Sequence, residues 1–120
     1  MTGSRVSEKN LQQQLVRGIS IAIPSVRIFR RTVVNCVTRK GFRARAGLIG
    51  QADCYAYVRG GRVVEIELKA AGGSLSPAQE RWQAWCVAWG VPHVLLVARR
   101  DESPRETVER WIEEIRGVLP

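Results

Sequence analysis

Soft metal ligands are scarce in this chain. It has one histidine, His93, and three cysteines, Cys36, Cys54 and Cys86, an odd number set far apart in apolar surroundings. No zinc-binding spacing is present, so buried, reduced thiols are the expected state, and His93, opening an apolar strand, is expected to be structural. Acids are few as well, 11 Asp and Glu against 19 Lys and Arg. No apolar run approaches the roughly 20 residues that a membrane-spanning helix needs. The opening Met-Thr-Gly-Ser-Arg-Val-Ser-Glu lacks the apolar core of a signal peptide, which makes a cytoplasmic location the expectation. Internal repeats and low-complexity linkers are missing too.

What is present fits one globular domain over residues 1–120: the chain is 45% hydrophobic, an ordinary value for a packed core. Charge is uneven along it. Residues 1–45 carry ten Lys and Arg against one acid, Glu8, a balance of +9, while residues 46–120 balance at −1, giving the net +8. A cationic half beside an acidic cluster suits a polyanionic substrate held while a metal acts on it. The same balance also describes a basic globule that binds nothing specific.

Periodicity supplies the organisation. Residues 7–20 predict a helix, with Ser7 as N-cap and Leu11, Leu15 and Val16 as its apolar stripe. Pro24 ends it. A β-branched stretch predicts a strand from about Arg27 to Cys36, followed by a glycine- and arginine-rich loop over 39–50, a length more often functional than decorative. Residues 52–58 and 63–70 predict a hairpin around Arg59-Gly60-Gly61-Arg62. Ser76-Pro77-Ala78-Gln79 combines proline at the first helical position with a capping box, opening a helix to about Trp89. In it Trp82, Trp85, Cys86 and Trp89 fall on one stripe, expected to be core. Residues 93–98 predict an interior strand. Ser103-Pro104-Arg105-Glu106 opens a last helix through Val108, Trp111, Ile112 and Ile115. The order αβββαβα implies an α/β fold with a mixed sheet.

The hairpin carries the chemistry. Val64, Ile66 and Leu68 alternate with Glu65, Glu67 and Lys69, so one face enters a core and the other carries charge. Asp53, at the start of the preceding strand, comes within reach of the same divalent cation as Glu67, with Lys69 beside them. That outlines a metal-assisted phosphoryl-transfer site. The competing reading is a salt bridge on the strand face, Glu67 with Lys69 or Arg62.

Three segments together, Gly47-Leu48-Ile49-Gly50-Gln51-Ala52-Asp53, Glu67-Leu68-Lys69 and Gly73-Ser74-Leu75-Ser76-Pro77-Ala78-Gln79, resemble the VRR-NUC domain, a branch of the PD-(D/E)xK nuclease superfamily. The match covers residues 47–98. The chain departs from the superfamily pattern at Ala52, where proline is frequent. The resemblance implies a PD-(D/E)xK core and metal-dependent endonuclease activity on DNA phosphodiesters. Stand-alone members of this size are typical of phages and look like homodimers acting on branched DNA such as four-way (Holliday) junctions, which would place this chain in a bacterial host.

On this reading Asp53 and Glu67 hold Mg²⁺ or Mn²⁺, hard cations that take oxygen ligands and keep several waters. The Leu68 carbonyl is a further oxygen ligand, and Glu8 matches an acid seen on the first helix of such nucleases, although the helix dipole alone explains an acid there. Lys69 stabilises developing negative charge. Gln79 matches the family's glutamine, which helps to place the water or the lysine; closing the capping box with Ser76 is its structural alternative. Arg30, Arg31, Arg39, Lys40, Arg43 and Arg45 are the expected phosphate contacts. The runner-up function is a non-catalytic, nuclease-like DNA-binding accessory protein. A degenerate member of that kind should have lost Asp53, Glu67 or Lys69, and all three are present.

Overall fold

The computed structural model describes residues 7–31, 34–37, 43–46 and 50–119, the two short middle segments by backbone alone. Helix α1 spans Glu8–Ala22, strands β1 to β5 span Val26–Arg30, Val34–Val37, Arg43–Ala46, Cys54–Val58 and Arg62–Lys69, helix α2 spans Pro77–Ala88, strand β6 His93–Val97 and helix α3 Pro104–Val118. The fold is α/β: three helices around a mixed four-stranded sheet of order β1-β4-β5-β6, in which β5 and β6 run parallel and the other pairs antiparallel.

One strand differs from expectation. The predicted strand from Arg27 to Cys36 is two strands, β1 and β2, and the predicted loop contains β3, which pairs with β2 as a separate two-stranded sheet. The reason lies in the alternation. Val26 and Ile28 face the core, and the next residue of that phase is Arg30, whose charge cannot follow them inward. Pairing with β4 therefore stops at Arg30↔Cys54, and the chain leaves the sheet at Arg31.

The core fills the face of the sheet formed by the even-numbered residues of β1, β4, β5 and β6. Val26, Ile28, Cys54, Ala56, Val64, Ile66, Leu68 and Leu96 meet Leu11, Leu15 and Ile19 of α1 and Val108, Trp111 and Ile115 of α3. Trp111 is fully buried, as the periodicity of α3 requires. Both capping boxes form: Ser76 with Gln79 and Ser103 with Glu106 bond reciprocally. Cys54 and Cys86 are buried free thiols, while the Cys36 side chain lies outside the described residues.

Helix α2 covers the opposite face over β5, yet its aromatic stripe does not enter a core. Trp82, Trp85 and Trp89 stack on one another, with ring centroids 4.9 and 5.5 Å apart, and Trp85 and Trp89 are 43% and 71% exposed. The expectation of a buried stripe is corrected here: only Cys86 of that set is fully buried. Helical spacing fixes which residues share a face, but not whether another element covers it.

Candidate active site at the end of strands β4 and β5

Strand β5 is buried on both faces. Glu65 and Glu67, on its charged side, are 4% and 1% exposed, because α2 lies over them. Helix α2 is held in place by its own start. The Gln79 side chain has two polar ends: Oε1 accepts the Ser76 N–H at 2.8 Å, and Nε2 donates to Glu67 Oε1 at 3.1 Å. The capping role and the contact with the acid, alternatives in the sequence, are both realised by one amide.

Asp53 sits one residue before β4, where regular pairing with β5 has ended. Its Oδ2 accepts the Leu68 N–H at 3.1 Å, taking the place of a strand carbonyl. Along β5 the backbone groups of Glu65 and Lys69 are bonded on the β6 side, through Pro92 and Ala98. Alternation therefore turns the Leu68 N–H and carbonyl to the other edge, where Asp53 lies. Gly50 helps to seat this segment. Its φ is +88°, and a Cβ there would stand 2.3 Å from the Ala78 carbonyl oxygen, so only glycine lets the backbone pass so close to the first turn of α2.

Glu67 is the electrostatic centre. One oxygen is held by Gln79, while Oε2 is buried and has no hydrogen-bond partner. Burial, then the neighbouring Asp53 carboxyl, push its pKa up to about 8, against a smaller pull from Lys69; Glu8 adds slightly to the rise from the start of α1. Lys69 ends β5, half-buried, and forms no salt bridge with a described acid. The strand-face pairing of Glu67 with Lys69 or Arg62 is not formed.

Glu65, two residues earlier on the same face, is fully engaged. Arg31 grips it with two hydrogen bonds, Nη1 to Oε1 at 2.8 Å and Nη2 to Oε2 at 3.0 Å, and the Trp82 indole N–H donates to Oε1 at 3.0 Å. The same guanidinium donates to the Ala52 carbonyl, and the Arg31 backbone N–H donates to the Asp53 carbonyl. It also lies 4.8 Å from the centre of the Tyr55 ring, a cation–π contact. This bracket joins β1, β5 and α2 around Asp53.

Nothing in the sequence pattern gives Glu65 a role. The signal available was an acid flanked by Val64 and Ile66, with an indole on the covering helix, but strand alternation does not reveal a covering helix. Gln12 is a second residue that the sequence pattern does not mark. Its Nε2 donates to Cys54 Sγ at 3.2 Å, from the helix that carries Glu8. Burial pushes the Cys54 thiol up to about 11, so it stays protonated and is not a nucleophile near neutral pH. His93 is half-buried with Nδ1 unpartnered, and burial lowers its pKa.

The expected phosphate contacts separate. Arg30 is exposed at the end of β1, whereas Arg31 is committed to Glu65. Arg39 and Lys40 lie outside the described residues, as do the side chains of Arg43 and Arg45. Among the described residues no group of three or more His, Cys, Asp and Glu side chains is gathered for a metal. The donor set is thus two carboxylates and a main-chain carbonyl, hard oxygen ligands that leave positions for water. A carboxyl oxygen buried without a partner is costly as the anion unless a proton or a cation meets it. The residues therefore fit a small divalent cation. Comparison with family models finds none that matches the chain, and comparison with curated proteins finds no relative.

Proposed function

We propose that this chain is a Mg²⁺- or Mn²⁺-dependent endonuclease that hydrolyses DNA phosphodiesters, built on a PD-(D/E)xK core of the VRR-NUC type. The observation that carries the reading is the buried Glu67 Oε2, without a hydrogen-bond partner among the described residues, beside Asp53 and within the field of Lys69. Asp53, Glu67 and the Leu68 carbonyl would hold the cation, which when bound polarises a phosphate oxygen and lowers the pKa of a water. The other contributions belong to the chain itself. Lys69 offsets the negative charge that grows on the phosphate as the water oxygen adds to phosphorus and the ester oxygen leaves. Gln79 fixes the orientation of Glu67 through Oε1, leaving Oε2 for the site. Arg31 anchors the backbone of Ala52 and Asp53, so that Asp53 faces Leu68.

Branched DNA, including four-way junctions, and a two-fold homodimer belong to this proposal as the form in which two strands are cut at related positions. The test is cleavage of linear, nicked, flap and junction DNA side by side, with Mg²⁺ or Mn²⁺ and with EDTA. Metal-dependent cutting that Asp53→Ala removes is the expected result. DNA binding without cutting in any metal would favour the accessory-protein reading instead.

A further inference from the structure

The face of the sheet that α2 leaves uncovered, on β1 and β4, has its own chemistry. Phe29, Tyr55 and Tyr57 form a cluster with all three ring centroids 5.4–5.7 Å apart. Phe29 is 41% exposed and Tyr57 55%. Aromatic rings of this size are normally buried, and here no described element lies over them. Tyr57 also lines an open cleft of about 620 Å³ between the turn after α1 and the β4–β5 turn, the two being tied by the Arg59 N–H to the Ser25 carbonyl. Three arginines line that cleft, Arg27, Arg59 and Arg62, and no acid does. Among the described residues the Arg59 and Arg62 side chains form no ion pair, and Gly60 and Gly61 leave the turn backbone open, with nothing within 4 Å of an added Cβ.

These parts lie in register with the carboxylate site. Cross-strand pairing puts Arg27, Tyr57 and Val63 in one row and Phe29, Tyr55 and Glu65 in the next, and Asp53 follows two residues further along. All point to the side of the sheet that carries Glu67. From Tyr57 to Asp53 is four residues of strand direction, about 13 Å.

We infer that this arginine cleft and the aromatic rows form a track for a single strand of DNA, leading unpaired bases toward Asp53 and Glu67. A cationic cleft without acids selects a polyanion rather than an apolar protein segment. Exposed rings select one whose bases are free to stack, because in a duplex those faces are already occupied. The inference deepens the nuclease reading and rests on it for the direction of the track: the substrate presents a single-stranded arm, as a flap or an opened branch does.

The test is fluorescence anisotropy with a short labelled oligothymidylate and with a hairpin duplex, in EDTA so that nothing is cut. Wild-type protein is expected to bind the oligothymidylate. Tyr57→Ala should weaken that binding about tenfold, while Tyr57→Phe keeps it, since the ring and not the hydroxyl stacks. Arg59→Ser with Arg62→Ser should flatten the salt dependence by about 1.4 in log–log slope, two contacts on a single strand. Both sites are exposed, and circular dichroism checks that the variants fold. Duplex bound more tightly than oligothymidylate, or Tyr57→Ala without effect, overturns the track. So does Tyr57→Ala dissociating a dimer in light scattering while DNA binding stays intact, which would make the face a contact between copies. Cleavage in Mn²⁺ separates the two readings: strand binding without cutting overturns the nuclease and leaves the track, and cutting that ignores Tyr57 does the reverse.

Discussion

Glu65 and Glu67 stand two residues apart on one strand face, under one helix, equally removed from water, and they are opposites. Glu65 accepts three hydrogen bonds, two of them from a guanidinium, so its charge is compensated where it lies. Glu67 accepts one, from a neutral amide, and keeps a buried oxygen without a partner. Burial alone therefore does not distinguish a structural acid from a functional one. On the proposed reading the distinction is whether the protein supplies the countercharge itself or leaves it to be supplied from outside.

The sharpest way to break this comparison is activity. Asp53→Ala should abolish metal-dependent cleavage, and Lys69→Ala should lower kcat about 100- to 1000-fold, the range for losing a stabiliser of developing charge. Folding, followed by circular dichroism, should survive both. Near wild-type cutting by either variant would remove Asp53, Glu67 and Lys69 from the chemistry.

Next in size is stability. Arg31→Ala leaves Glu65 buried with only an indole partner and should cost about 3–5 kcal/mol in urea unfolding. Glu67→Gln should cost nothing in EDTA at pH 8, and is expected to stabilise, because it removes an acid that is already uncompensated. If both substitutions cost the same, the two acids are not opposites.

Dependence on pH gives a finer test. Below about pH 4.5, folded and unfolded chains both keep the Glu67 proton; between about 4.5 and 8 only the folded chain does. The folded state then binds more protons, so in EDTA stability should fall as pH rises through this window and level off above it. Glu67→Gln should flatten that limb. Cation binding needs the proton gone, so Mn²⁺ affinity by calorimetry should increase with pH up to about 8. A pH-independent affinity would point to ligands other than Glu67.

The smallest expected effect is at Gln79. Gln79→Ala removes the contact that orients Glu67 and should weaken Mn²⁺ binding about tenfold. Gln79→Glu keeps a capping acceptor for the Ser76 N–H but sets another acid against Glu67, so it should preserve the helix while harming the metal site.

Much of this architecture was legible in the sequence. The two capping boxes were readable because Ser76 and Gln79, like Ser103 and Glu106, satisfy helix-end groups locally. The β4–β5 hairpin was readable because Gly60 and Gly61 interrupt two alternating runs. Asp53 and Glu67 were marked by their places on the hairpin and Gln79 by its capping box and the family resemblance; in the structure Gln79 bonds Glu67, and Asp53 lies beside it. Features that depend on distant chain were not legible. The bracket that Arg31 makes with Glu65 and with the Ala52 and Asp53 carbonyls joins it to residues more than twenty positions away. The exposure of Trp85 and Trp89 reflects the lack of a described neighbour over that face, and a helical pattern carries no information on its neighbours. Glu65 carried no mark of its role, because an alternating strand looks the same beneath water or beneath a helix.

The Leu68 amide hydrogen is bonded to a side-chain carboxylate within an otherwise regular strand. Its neighbours in β5 are bonded to backbone carbonyls, whose acceptor strength does not change when a ligand arrives. A carboxylate does change: protonation, or sharing its charge with a cation, makes it a weaker acceptor. The Leu68 amide is consequently a built-in reporter, whose proton resonance should shift upfield and exchange faster as Asp53 gives charge away, while the Ile66 amide stays still. A titration followed at these two signals would read the occupancy of the site without a substrate, a label or a turnover.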